Sequence, residues 1–155
     1  MPRASVVLHE ACLRVQVGSA PVMVGQLAHI VREMRRHPRL TVQVLPYSEA
    51  EVAISTPFAI LEIPDSAPRV YVEGPQAGQT YDTQDAVADA VEIFDRLRAC
   101  ALSPDNSVAC IESVKEDHER SAVGQVQLQR RVRRQLPRVG AGSPARKRGR
   151  SGAGQ

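Results

Sequence analysis

Aromatic residues are scarce in this chain. There are three tyrosines, two phenylalanines and no tryptophan in 155 residues. Phe94 is the one aromatic residue after Tyr81, so a C-terminal segment that bound nucleic acid would have to do so without stacking on bases. Cysteine is sparse too. Cys12, Cys100 and Cys110 are odd in number and form no CxxC pair, and read as small buried hydrophobes of a reducing compartment. His9 and Cys12 alone are too few for a zinc site, and no cofactor is expected. No run approaches the roughly 18 apolar residues that a membrane span needs. The N-terminus, MPRASVVLHE, has only three consecutive apolar residues and is no secretory signal, so the expected location is cytoplasmic.

Catalytic signatures are missing as well. Gly74–Gly78 (GPQAG) lacks the glycine spacing and the lysine of a phosphate-binding loop. None of Ser5, Ser19 and Ser55 sits in a GxSxG elbow. His29 and His37 are eight residues apart on the polar side of one helix and read as solvated surface. Glu10 and Glu73, each at a strand end, are the candidates for a general base built from paired carboxylates. As partners of Arg14 and Arg69 they would instead be ordinary surface acids.

What the chain does have is a charge asymmetry. Up to Glu119 it carries 10 Lys/Arg against 17 Asp/Glu, a net of −7; from Arg120 onward it carries 10 Lys/Arg and no acid, a net of +10. The organisation that follows is an acidic α+β body over 1–119, a basic helix over 120–136 and a disordered basic tail over 137–155. Arg130, Arg131, Arg133 and Arg134 in the helix, with Arg146, Lys147, Arg148 and Arg150 in the tail, could neutralise phosphates. Such binding would be weak, salt-sensitive and indifferent to sequence.

Within the body, Pro57 to Glu73 (PFAILEIPDSAPRVYVE) reads as a β-hairpin at the centre of a small sheet. Phe58–Ile63 and Arg69–Glu73 are its strands, joined by the turn-forming Pro64–Pro68. Ser5–Leu8 and Val15–Val17 suggest a first strand near Met1. Ser19 and Pro21 open a helix whose apolar stripe is Met23, Leu27, Ile30, Val31 and Met34, ending before Pro38. Leu40–Leu45 alternates as a strand, Tyr47–Thr56 reads as loop, and about four strands are expected in one sheet. Asp82 or Thr83 caps a helix with the stripe Val87, Val91, Phe94, Leu97 and Ala101. Ser103-Pro104-Asp105 starts another, with Val108, Ile111 and Val114 inward.

Four blocks then occur in a telling order: VVLHEACLRVQVGSAPVMVGQLAHIV, LTVQVLPY, TPFAILEIPDSAPRVYVEG and FDRLRACALSPDNSVACI. Over Val6 to Glu119 the chain resembles the C-terminal domain of unknown function of actinobacterial Xre-type, antitoxin-like helix-turn-helix transcription regulators. The resemblance implies a regulatory domain, not an enzyme, that senses a protein partner or a small ligand and can self-associate. That family carries an N-terminal helix-turn-helix and a first helical segment. Here Met1 falls just before the strand that leads to Glu10, so the chain is expected to be a fragment. DNA would be bound only through the missing N-terminal domain, or weakly through the tail, and no membrane is expected. Glu10, Arg14, Tyr47, Tyr71 and Glu73, polar or amphipathic residues at strand ends, are the expected interaction surface. The alternatives are non-specific nucleic-acid binding through the tail and an enzyme with Glu10 or Glu73 as base.

Overall fold

The computed structural model describes residues 2–52 and 56–135 of the chain. Its elements run β1 (Ala4–His9), α1 (Ala11–Arg14), α2 (Ala20–Arg36), β2 (Leu40–Leu45), a 3-10 segment (Tyr47–Val52), β3 (Phe58–Leu61), β4 (Arg69–Val72), β5 (Gln79–Tyr81), α3 (Gln84–Cys100) and α4 (Pro104–Gln135). The architecture is α+β. The chain divides into two compact units, Met1–Ala122 and Val123–Gln155. The second consists, among its described residues, of the final turns of α4, on which Val123 and Val126 are exposed.

The strands form two sheets where one was expected. β1 and β2 pair in parallel, from Ala4 opposite Leu40 to His9 opposite Leu45. β3, β4 and β5 form an antiparallel sheet with β4 in the middle. The proline-rich Pro64–Pro68 turn pairs Phe58–Leu61 with Arg69–Val72, and β5 adds a strand that the glycine-rich Gly74–Gly78 segment turns back onto β4. Burial alternates along the hairpin, with Ile60, Val70 and Val72 inward and Ala59, Leu61 and Tyr71 outward. That is the pattern of a sheet with one solvated face.

The sequence VGS at Val17–Ser19 turns rather than extends. Gly18 adopts a φ of 76°, open to glycine at no steric cost. Val15–Val17 is therefore not strand: the chain makes one helical turn at Ala11–Arg14, and Val15 and Val17 stand exposed. Ser19 precedes α2 in extended backbone, Pro21 lies in its first turn, and Met23, Leu27 and Val31 are buried along one side. Thr83 is the cap of α3, its Oγ1 accepting the Ala86 N–H at 3.4 Å. The buried line of α3 passes through Ala90 and Leu97, with Val91 turned outward at 41 % exposure. At that turn Ala90 thus takes the interior position that the expected stripe gave to Val91. Ser103 starts α4 by accepting the Asn106 N–H at 3.2 Å.

One core holds β1–β2 to α1, α2 and α4. Leu13, Leu27, Val31, Val44, Ile111 and Val114 are at most 5 % exposed, with Leu8, Ile30, Met34 and Val108 packed around them. Full burial of such a side chain contributes about 1.5–3 kcal/mol. The outer edge of β2 is sealed by the α3–α4 connection. Leu102 N–H donates to the Val44 carbonyl, Gln43 Nε2 donates to the Leu102 carbonyl, and the buried Ser107 Oγ accepts the Val44 N–H, each at 2.9 Å. An edge left bare would present unpaired backbone groups to another chain. Among the described residues no helix is long and apolar enough to cross a membrane.

Candidate functional site

Two parallel strands that end together bring the side chains after them together as well. His9 and Leu45 are the last pair of β1–β2, and Glu10 N–H donates to the Leu45 carbonyl at 2.9 Å. Glu10 thus sits at the carboxyl ends of both strands, where open parallel sheets commonly place ligands. One turn of helix returns Arg14 to it, with Nε 2.6 Å from Glu10 Oε1. The other carboxylate oxygen, Oε2, accepts the backbone N–H of Tyr47 at 3.1 Å. Tyr47, 49 % exposed, meets the His9 ring edge-on with centroids 5.3 Å apart.

The cluster continues onto α4. Arg14 Nη1 lies 3.2 Å from Asp117 Oδ2, and Asp117 Oδ1 is gripped by Arg120. Beside them the buried His118 has its Nε2 2.9 Å from the Leu13 carbonyl, to which it donates. Burial pushes the Glu10 carboxyl up, but the Arg14 hydrogen bond, the Tyr47 N–H and the charges of Arg14 and His9 together outweigh it. The net direction is below the usual glutamate value. The Arg120 hydrogen bond, reinforced by Arg14, likewise lowers Asp117, and the bond to Glu10 raises Arg14. Nearby, burial and then the Glu10 charge push the Cys110 thiol up, away from the reactive thiolate form. Chemically, this is a clamp: both oxygens of Glu10 are engaged, by Arg14 and the Tyr47 N–H, and both of Asp117, by Arg14 and Arg120.

Of the five residues expected on one surface, Glu10, Arg14 and Tyr47 do come together. Tyr71 and Glu73 lie elsewhere, on and just after β4: Tyr71 points to the solvated face, its ring over Gly78, and Glu73 is exposed with its N–H on the Pro57 carbonyl. The two acids considered for a carboxylate pair, Glu10 and Glu73, are therefore on different sheets. Arg130, Arg131, Arg133 and Arg134 fall in the last turns of α4, while Arg146, Lys147, Arg148 and Arg150 lie outside the described residues. Cys12 is exposed and Cys100 and Cys110 are half-buried, so the reading of all three as core residues does not hold. His29 and His37 both approach Glu33, at 3.8 and 3.2 Å. Among the described residues no three potential ligands are placed to hold a metal ion.

A second feature was not expected. Between α2 and α4 lies an open groove of about 310 Å³, floored by Leu27, Val31 and Ile111. Arg32, Arg35, Arg36 and Lys115 line its rim, and Glu112 is the one acid there. Arg35 pairs with Glu112 at 2.9 Å, and Lys115 reaches Glu119 at 3.7 Å. Arg36 meets no carboxylate among the described residues. Four of the ten cations before Arg120 thus converge on one groove of a body whose net charge is −7. The spacing of Arg32, Arg35 and Arg36 at i, i+3 and i+4 put them on one helix face in the sequence. That Lys115 would face them across a groove depended on how α4 packs, which nothing local records.

A family model described as "Domain of unknown function (DUF5753)" matches residues 1–113. No curated protein and no solved structure matches the chain.

Proposed function

The chain belongs to the DUF5753 domain family, and on that premise we propose that it is a recognition domain. It would be the partner- or ligand-sensing regulatory part of an Xre-type, antitoxin-like helix-turn-helix transcription regulator of the actinobacterial kind, with DNA reading left to another domain. The observation that carries this reading is the contrast between the two candidate surfaces. At the strand ends, where an enzyme of this topology would place its base, both oxygens of Glu10 are occupied. In the α2/α4 groove, by contrast, cationic side chains outnumber their partners. Long arginine and lysine stems over an apolar floor suit an extended, negatively charged protein surface, since the stems add apolar contact while the heads pair with acids.

Helix interiors offer no free backbone N–H groups, so a small anion in this groove would meet only flexible side chains. This favours a protein partner over a small phosphorylated ligand. The test is affinity capture from extracts of the source cells with the tagged full chain and two variants. Arg36→Glu/Lys115→Glu takes the lining charge of the groove from +3 to −1; Glu10→Gln alters only the strand-end clamp. The expected result is a protein retained by the wild type and by Glu10→Gln and absent from the groove variant. Identical retention by all three chains would overturn the reading.

A further inference from the structure

The molecule itself carries a helix, α3, with four acids against two arginines. The outer face of α3 presents Asp85, Asp89, Glu92 and Asp95, at i, i+4, i+7 and i+10, with one cation, Arg96, among them at i+11, all exposed. Asp95 lies 3.8 Å from Arg98, whereas Asp85, Asp89 and Glu92 meet no cation among the described residues. Val91, 41 % exposed, stands beside this stripe. The opposite face of α3 is spent on Ala90 and Leu97 in the interior, which leaves the face with four acids and Arg96 turned outward. Along the axis, Asp85 to Glu92 covers about 10 Å and Arg32 to Arg36 about 6 Å at the helical rise of roughly 1.5 Å per residue. Asp89 and Glu92, about 5 Å apart along the axis, fit within the Arg32–Arg36 stretch, while Asp85 and Asp95 reach beyond it.

We infer that a second copy of this chain seats the acidic face of its α3 in the α2/α4 groove, so that the protein self-associates through two different surfaces. The inference rests on the groove being a recognition surface, as proposed above. Arg36 and Lys115 are the cations with most to gain, since among the described residues one meets no carboxylate and the other only a distant one. Asp89 and Glu92 are the acids to match them. The contact is heterologous: the groove of one copy takes the helix of the next, leaving one groove and one helix free unless the ring closes. Nucleic acid is the poorer occupant, because a polyanion extending beyond the groove would meet a body of net charge −7, and the groove has no aromatic residue on which a base could stack.

The test is sedimentation velocity of the full chain at about 100 µM and physiological salt, where even a weak contact populates. The wild type should sediment as a mixture of monomer and higher species that shifts to monomer at about 1 M salt. Arg36→Glu/Lys115→Glu alone and Asp89→Lys/Glu92→Lys alone should each be monomeric, with unchanged circular dichroism. Mixing the two variants, or combining all four changes in one chain, should restore association, because the reversed charges again match. A monomeric wild type overturns the inference and leaves the groove open to a foreign acidic protein, which the capture experiment reads separately. Association that persists in the groove variant also overturns it.

Discussion

Removing one buried oxygen tests how β2 is held. Ser107 is 0 % exposed; its Oγ accepts the Val44 N–H at 2.9 Å and donates to the Leu102 carbonyl at 3.3 Å. In Ser107→Ala both bonds go, but the consequences differ. The Leu102 carbonyl keeps its 2.9 Å bond from Gln43 Nε2, so it remains satisfied. The Val44 N–H has no replacement partner, and Val44 itself is 0 % exposed, so water does not reach it. One orphaned buried donor costs about 1–3 kcal/mol. Alanine's better helix propensity returns up to roughly 0.5 kcal/mol. The net expectation is a loss of about 1–2 kcal/mol, a large share of a typical domain's 5–15 kcal/mol. Urea denaturation followed by far-UV circular dichroism measures it, as a lower midpoint at unchanged slope. Ser121→Ala on the same helix is the internal control. Its hydroxyl donates to the Asp117 carbonyl four residues back from an exposed position, and its loss should shift stability by less than about 0.5 kcal/mol. Equal effects of the two substitutions would refute the claim that Ser107 seals the β2 edge.

Three further expectations follow from the same packing. Gly25 is exposed in the middle of α2 and a Cβ there would meet nothing within 4 Å, so Gly25→Ala should raise stability by about 0.5–1 kcal/mol, read as a higher urea midpoint. On α3, Leu97→Ala should cost about 2–4 kcal/mol while Val91→Ala stays within about 0.5 kcal/mol, because one side chain is 7 % exposed and the other 41 %. Equal losses would place Val91 inside after all. Glu10→Gln should cost about 0.5–1 kcal/mol at neutral pH, the scale of a partly exposed ion pair. Since the folded state lowers the Glu10 pKa, that contribution is complete above the carboxylate's unfolded value, near 4.3, and disappears as pH falls through the folded one. The wild-type and variant stability curves should therefore converge on the acid side.

Much of the fold was legible because it is local. The period of Met23, Leu27 and Val31, the breaks at Pro38 and Pro46, and the Ser103 cap mark α2, β2 and the start of α4 without reference to anything distant. What was not legible depends on contacts across the chain. Whether β2 joins the hairpin or pairs only with β1 is decided by Leu102 and Ser107, some sixty residues later, which occupy the β2 edge. Ala90 stands seven residues before Leu97 and so on the same line of the helix, but its small side chain carries a weaker apolar signal than its neighbour Val91. At the candidate site, Glu10 and Arg14 were legible as neighbours one helical turn apart. Asp117 and His118, which complete the clamp, stand more than 100 residues from their partners Arg14 and Leu13. Tyr71 and Glu73 looked equivalent to them because all sit near strand ends, and only the division into two sheets separates them.

Glu10 distinguishes the two readings of the strand ends, since a clamped carboxylate is held below the ordinary glutamate value whereas a general base working near neutral pH is tuned above it. Direct NMR titration of the Glu10 side-chain carboxyl in the folded full chain settles which it is. A pKa below that of an ordinary glutamate, returning toward the ordinary value in Arg14→Gln, is the predicted result; it would mark the strand-end cluster as structural and leave recognition to the groove. A pKa above the ordinary value would contradict it, and would return Glu10 to the role of a general base.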